Sequence, residues 1–93
     1  MNPGQDELCE KIVELQAKFY QVSELLYSLD PATTMCKEND AKNEYDNEAY
    51  EIVTMSNFSL ESVLQVFDEE FDGMYDPDII KNAYPKIKQI VMS

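Results

Sequence analysis

The chain has 93 residues, 44% of them hydrophobic, which suits one small domain with a core of its own. Nineteen acids face seven lysines, a net charge of −12, and there is no arginine, histidine or tryptophan. Such a field repels nucleic acid phosphates and anionic lipid and attracts basic proteins and cations.

No apolar run approaches the ~18–20 residues that a membrane span needs. The opening MNPGQDELCE is polar and acidic, unlike a secretory signal. Cys9 and Cys36 do not have metal-ligand spacing, and a reduced, cytoplasmic chain is the expectation. Residues 1–5 read as a tail to a single domain spanning 1–93.

Leu8, Ile12, Leu15, Phe19, Val22, Leu26 and Leu29 recur at spacings of four and three, an apolar stripe along one face of a long first helix. Cys9, Val13, Tyr20 and Tyr27 widen the stripe, which favours packing into the domain's own core. The alternative is a coiled-coil dimer over about three heptads. Pro31 ends the helix, because the residue before a proline is pushed out of helical geometry.

Residues 30–44 read as an acidic loop. Between Asp30 and Asp72 twelve acids meet only two lysines, Lys37 and Lys42, for a net of −10. A helical pattern returns over Ala41–Val53, with Tyr45, Ala49, Ile52 and Val53 on one side and Asp46, Glu48 and Glu51 expected on the other. Ser59 is placed to cap a third helix carrying Leu60, Val63, Leu64, Phe67 and Phe71, and Gly73 suits its end. Asp76-Pro77 pairs an N-cap with a proline at the first helical position. Ile79, Ile80, Ala83, Ile87, Ile90 and Val91 complete the last pattern, where Pro85 predicts a kink or two short helices. No strand alternation and no repeat emerge, so the fold class is all-α, a single small domain of about four helices.

The order LDP (29–31), EYDNEAYEIV (44–53) and FSLESVLQVFDEEFDG (58–73) resembles a family of small uncharacterised bacterial proteins, the YugE-like type, over roughly residues 22–73. Asp30, Pro31, Tyr45, Asp46 and Glu48 match its motif. The chain departs from it in Leu29, where tryptophan is frequent, and in a longer linker carrying Cys36. The resemblance implies the domain type and brings no catalytic residue.

The inventory of reactive groups points away from an enzyme. Acid–base catalysis commonly uses histidine or a carboxylate of displaced pKa, and carboxylates are so abundant here that none stands out. Cys36 has only Lys37 beside it before Glu38 and Asp40, a poor setting for a thiolate nucleophile. With glycines only at 4 and 73, no phosphate-cradling loop exists. DEEFDGMYDPDI (68–79) places Asp68, Glu70, Asp72, Gly73 and Asp76 at calcium-loop positions one, three, five, six and nine. Ile79 stands where the closing glutamate belongs, and a helix end, turn and capped helix start is the plainer reading. From Asp40 a second such loop fails at Lys42 and Tyr45. No cofactor and no metal are expected.

What remains is an acidic, tyrosine-bearing surface. Asp40, Glu44, Asp46, Glu48 and Glu51 can pair with lysines or arginines of a partner, and Tyr50 can supply an apolar anchor with a polar tip. Tyr45 belongs to the apolar side of its helix. The expected function is a small acidic, non-enzymatic protein-binding module that neutralises a basic partner, for example an immunity-type inhibitor of a nuclease toxin. Direct nucleic acid and membrane binding are not expected, and the chain is expected to be a monomer. Alternatives are a structural subunit self-associating through the first helix and, more remotely, a calcium-responsive protein.

Overall fold

A computed structural model describes the backbone of residues 3–34, 39 and 41–93, and the side chains of 13–34, 39 and 41–93. Within these the chain forms four helices and no strand: α1 (Pro3–Leu29), α2 (Asp46–Thr54), α3 (Leu60–Phe71) and α4 (Pro77–Met92). Asp40, Cys36, Lys37, Glu38 and the side chains of Leu8, Cys9 and Ile12 lie outside the described residues.

The helix boundaries follow local chemistry. At the end of α1, Asp30 takes a left-handed φ of 47° while its amide still donates to the Leu26 carbonyl at 2.8 Å. Aspartate is one of the few residues that tolerates this region, and Pro31 cannot continue the helix. The Ser59 hydroxyl accepts from the Ser62 amide at 3.1 Å, satisfying an orphan donor at the start of α3. Asp72 (φ 51°) and Gly73 (φ 77°) reverse the chain after α3. Asp76 accepts from the Asp78 amide at 3.0 Å, with Pro77 next in line. Pro85 does not split the last helix: α4 runs unbroken through it. Its missing amide frees the Lys81 carbonyl on a face where Lys81 and Pro85 are both exposed, so water can satisfy that group.

The helices pack in a ring: α1 on α2, α2 on α3, α3 on α4, and α4 back on α1. At its centre Val22 and Leu26 of α1 meet Tyr45, Ala49, Ile52, Val63, Phe67, Ile80 and Ile87. Phe67 anchors the aromatic part, with Tyr75 5.5 Å, Phe71 6.0 Å and Tyr45 6.4 Å away between ring centres, distances at which ring quadrupoles attract. The Tyr75 hydroxyl donates to the Leu64 carbonyl at 3.2 Å and ties the α3–α4 turn to the body of α3. Burial, with Asp68 alongside, pushes the Tyr75 phenol up to about 12.

Only part of the α1 stripe reaches this core. Phe19 is half-buried, while Val13 and Leu15 are 63% and 37% exposed and Tyr20 is 66% exposed. The expectation that Val13 and Tyr20 widen an internal core is therefore corrected. The physical reason is length. At 27 residues α1 is about 40 Å long, whereas the nine-residue α2 covers about 14 Å of it. Residues 13–17 are all exposed, the molecule measures 49 × 29 × 20 Å, and its radius of gyration is 14.3 Å against about 12 Å for a compact chain of this length.

Candidate functional site

The motif residues Asp30, Pro31, Tyr45, Asp46 and Glu48 gather where α1 ends and α2 begins. The Tyr45 hydroxyl donates to Asp30 Oδ1 at 2.5 Å and accepts from the Ala32 amide at 3.1 Å. The same Asp30 oxygen accepts from the Thr34 amide and hydroxyl, each at 2.9 Å. A charge-assisted set of this kind is strong, and it fixes the first turns of the long loop against α2. Burial, then the Asp30 carboxylate, drives the Tyr45 phenol well above its ordinary range, so it remains a donor. Pro31 is buried, and its carbonyl accepts from the Asp76 amide at 2.8 Å. Asp46, in the first turn of α2 where the helix dipole favours a negative charge, accepts from the Ser23 hydroxyl of α1 at 2.6 Å. These contacts are made between parts of the chain itself. They form a scaffold joint.

Glu48 departs most from the sequence reading. It is 3% exposed, and its Oε2 has no hydrogen-bond partner among the described residues. Burial raises its pKa, its own backbone amide opposes the shift, and the charges of Glu70, Glu51 and Glu44 add to it. The expected placement of Glu48 on the polar side of α2 is corrected. Positions 45, 48, 49 and 52 are spaced by three, one and three, so Glu48 lies inside the apolar stripe. That spacing was visible in the sequence; its charge led to the opposite face.

The other predicted partner contacts divide accordingly. Glu44 and Glu51 are exposed, Tyr50 is 59% exposed, and Asp46 is half-buried with its hydrogen bond to Ser23. Asp40 lies outside the described residues. The calcium-loop reading loses its frame, because Asp68 and Glu70 belong to α3 and Asp76 caps α4. No group of three or more histidine, cysteine, aspartate or glutamate side chains among the described residues could hold a metal ion. Among the same residues no helix is long and apolar enough to cross a membrane.

One feature had no counterpart in the sequence reading. Because α2 runs back along α1, its C-terminal end brings Tyr50 and Val53 beside Leu15, Gln16, Phe19 and Tyr20. Together they line an open, largely apolar groove of about 230 Å³. The exposed Glu14 and Glu51 are next in sequence to Leu15 and Tyr50. The last turn of α2 holds no basic residue, although its free carbonyls carry partial negative charge. Lys18, the one described lysine side chain of α1, donates to the Val91 carbonyl of α4 at 3.0 Å. A second, wider groove of about 750 Å³ lies between α1 and α4, where Gln21, Glu24, Lys86 and Gln89 make it more polar than the first.

Compared with protein-family models, with curated proteins and with solved structures, the chain matches none.

Proposed function

We propose that this chain is a small acidic, non-enzymatic protein-binding module that engages a basic partner through the face shared by α1 and α2. The observation that carries the reading is the fate of two tyrosines, Tyr45 just before α2 and Tyr50 within it. Tyr45 is buried and hydrogen-bonded, whereas Tyr50 stands 59% exposed beside other apolar side chains and next to Glu51. Tyrosine in that setting gives contact area at low entropic cost, and exposed acids steer a basic protein toward it. An immunity-type inhibitor of a basic nuclease is the most concrete form of such a module. In this reading the motif shared with the YugE-like type builds the joint that presents the face, and the partner contacts lie outside it.

The test begins with a pull-down from native extract at low and high salt. With the partner in hand, Glu44→Lys combined with Glu51→Lys slows association and flattens its salt dependence. Tyr50→Ala mainly raises the dissociation rate. Wild-type binding by both variants would place the interface elsewhere.

A second reading, self-association through α1, draws on the exposed Val13, Leu15 and Tyr20. Sedimentation equilibrium at micromolar concentration separates the two: the first reading expects a monomer.

A further inference from the structure

Among the described residues Glu48 is the one carboxylate enclosed in the core, and it sits on the shortest helix. We propose that α2 is a proton-operated latch. With Glu48 uncharged the helix stays seated on α1 and α3; with Glu48 charged it lifts away while the other three helices stay packed.

The placement of Glu48 supplies the drive. It lies in the first turn of α2, in the same stripe as the fully buried Tyr45, Ala49 and Ile52, and is itself 3% exposed. Its Oε2 has no hydrogen-bond partner among the described residues. The charges that act on it all have its own sign: Glu70 from α3, Glu51 from α2 and Glu44 from the turn before α2. From α1, the described charged side chains Glu14, Lys18 and Glu24 do not act on it, and Lys18 is engaged with the Val91 carbonyl. Asp46, in the same turn, is engaged with Ser23. Only the Glu48 backbone amide favours the charged form. An ionised carboxylate in such a place gains hydration as soon as the helix lifts.

The helix is built to move. It has nine residues, Tyr45 gives it no side-chain cap, and its last turn holds no basic residue. A helix of that length is marginal in water and stays folded because it is docked. It packs on α1 and α3, whereas α3 on α4 and α4 on α1 keep their contacts without it. The Tyr45–Asp30 bond, the Ser23–Asp46 bond and the burial of Ala49 and Ile52 hold it down. The sign of the response follows. Burial first, then the neighbouring acids, raise the pKa of Glu48 in the docked helix. Above the ordinary glutamate value the lifted helix has released this proton and the docked one still holds it, so rising pH loosens the latch and acidification closes it.

Native-state hydrogen exchange in low urea, read by NMR on the full chain between about pH 4 and 7, tests this. Rates are corrected for the intrinsic pH dependence of exchange. Amides of 49–53 are less protected than those of 63–67 and 86–90 and respond more weakly to urea, as an opening that exposes only part of the buried surface requires. Their protection falls by about threefold or more as pH rises, with a midpoint that matches the titration of the Glu48 side-chain carboxyl. Glu48→Gln keeps the shape of the side chain, raises protection over 49–53 at neutral pH and abolishes its dependence on pH. Glu70→Gln, at an exposed position of α3, removes one of the like charges and lowers the midpoint without abolishing the change.

If 49–53 share the protection and the urea response of α3 and α4, the helix opens only with the whole fold and the latch is overturned. An unchanged pH dependence in Glu48→Gln would overturn it by assigning the response to another group. A Glu48 carboxyl that titrates together with the exposed Glu44 and Glu51 would overturn it as well.

Discussion

The two halves of α1 carry one apolar stripe and meet opposite fates. From Val22 onward the helix is locked: Val22 and Leu26 are fully buried, Ser23 donates to Asp46, and Asp30 closes the end with Tyr45 and Thr34. From Val13 to Ala17 every residue is exposed. The difference does not lie in the stripe, whose spacing is the same in both halves. It lies in the length of what packs against it. A periodic apolar face states what a helix can bury and leaves open what will cover it.

The sharpest way to break this contrast is to delete side-chain volume in each half. Leu26→Ala should cost about 2–5 kcal/mol, from lost transfer energy plus a cavity. Leu15→Ala should cost about 1 kcal/mol or less, as at a partly exposed surface position. Urea denaturation followed by circular dichroism measures both. Comparable losses would mean that the stretch around Leu15 is covered in solution.

The joint itself comes next. Tyr45→Phe removes a donor from Asp30 and an acceptor from the Ala32 amide, and should cost about 1–3 kcal/mol. Tyr50→Phe, five residues on in α2, should change stability by less than about 0.5 kcal/mol. If the two changes weigh the same, the joint does not hold the loop as its geometry implies.

Glu48→Gln should stabilise the fold by about 1 kcal/mol at neutral pH, because it removes the charge of a buried carboxylate. The sign follows from the raised pKa. Above the ordinary glutamate value the unfolded chain has released its proton while the native carboxyl still holds it, so rising pH favours unfolding until the raised value is passed. The penalty is absent below the ordinary value and complete above the raised one. The gain from Glu48→Gln should therefore shrink toward zero near pH 4 or so. Thermal melts across pH check this, and a gain independent of pH would point to packing.

The smallest effect belongs to the exposed stretch 13–17. Val13→Lys should shift stability by no more than about 0.5 kcal/mol. Amide exchange should be fast over residues 13–17 and slow over 22–29, since opening a helix segment without tertiary cover needs little free energy.

What the sequence disclosed, and what it did not, divides along the same line of locality. The caps at Ser59 and Asp76 and the stop at Asp30-Pro31 were legible because each depends on a few adjacent residues. The all-α class was legible for the same reason, since four short-range patterns each pointed to a helix. Pro85 misled because its effect depends on whether water can reach the Lys81 carbonyl, which only the packed structure decides. Glu48 misled because residue type was weighed above position. Of the predicted partner surface, Tyr50 with Glu44 and Glu51 faces outward. The groove that Tyr50 lines was not legible, because Leu15 and Tyr50 meet only once α2 folds back along α1.

The bond between the Pro31 carbonyl and the Asp76 amide joins the close of α1 to the opening of α4 through main-chain atoms alone. Any residue except proline at 76 keeps that donor, so point substitutions there can cost the cap while leaving the tie in place. Inserted residues are another matter. Each one added between Phe71 and Asp76 offers the chain up to about 3.8 Å of extra path, more than the span of the bond itself. At this crossing the fold accepts changes of spelling at 74 and 76 and resists changes of length, so homologous chains should vary in residue type at those two positions and hold the number of residues between Phe71 and Asp76 constant.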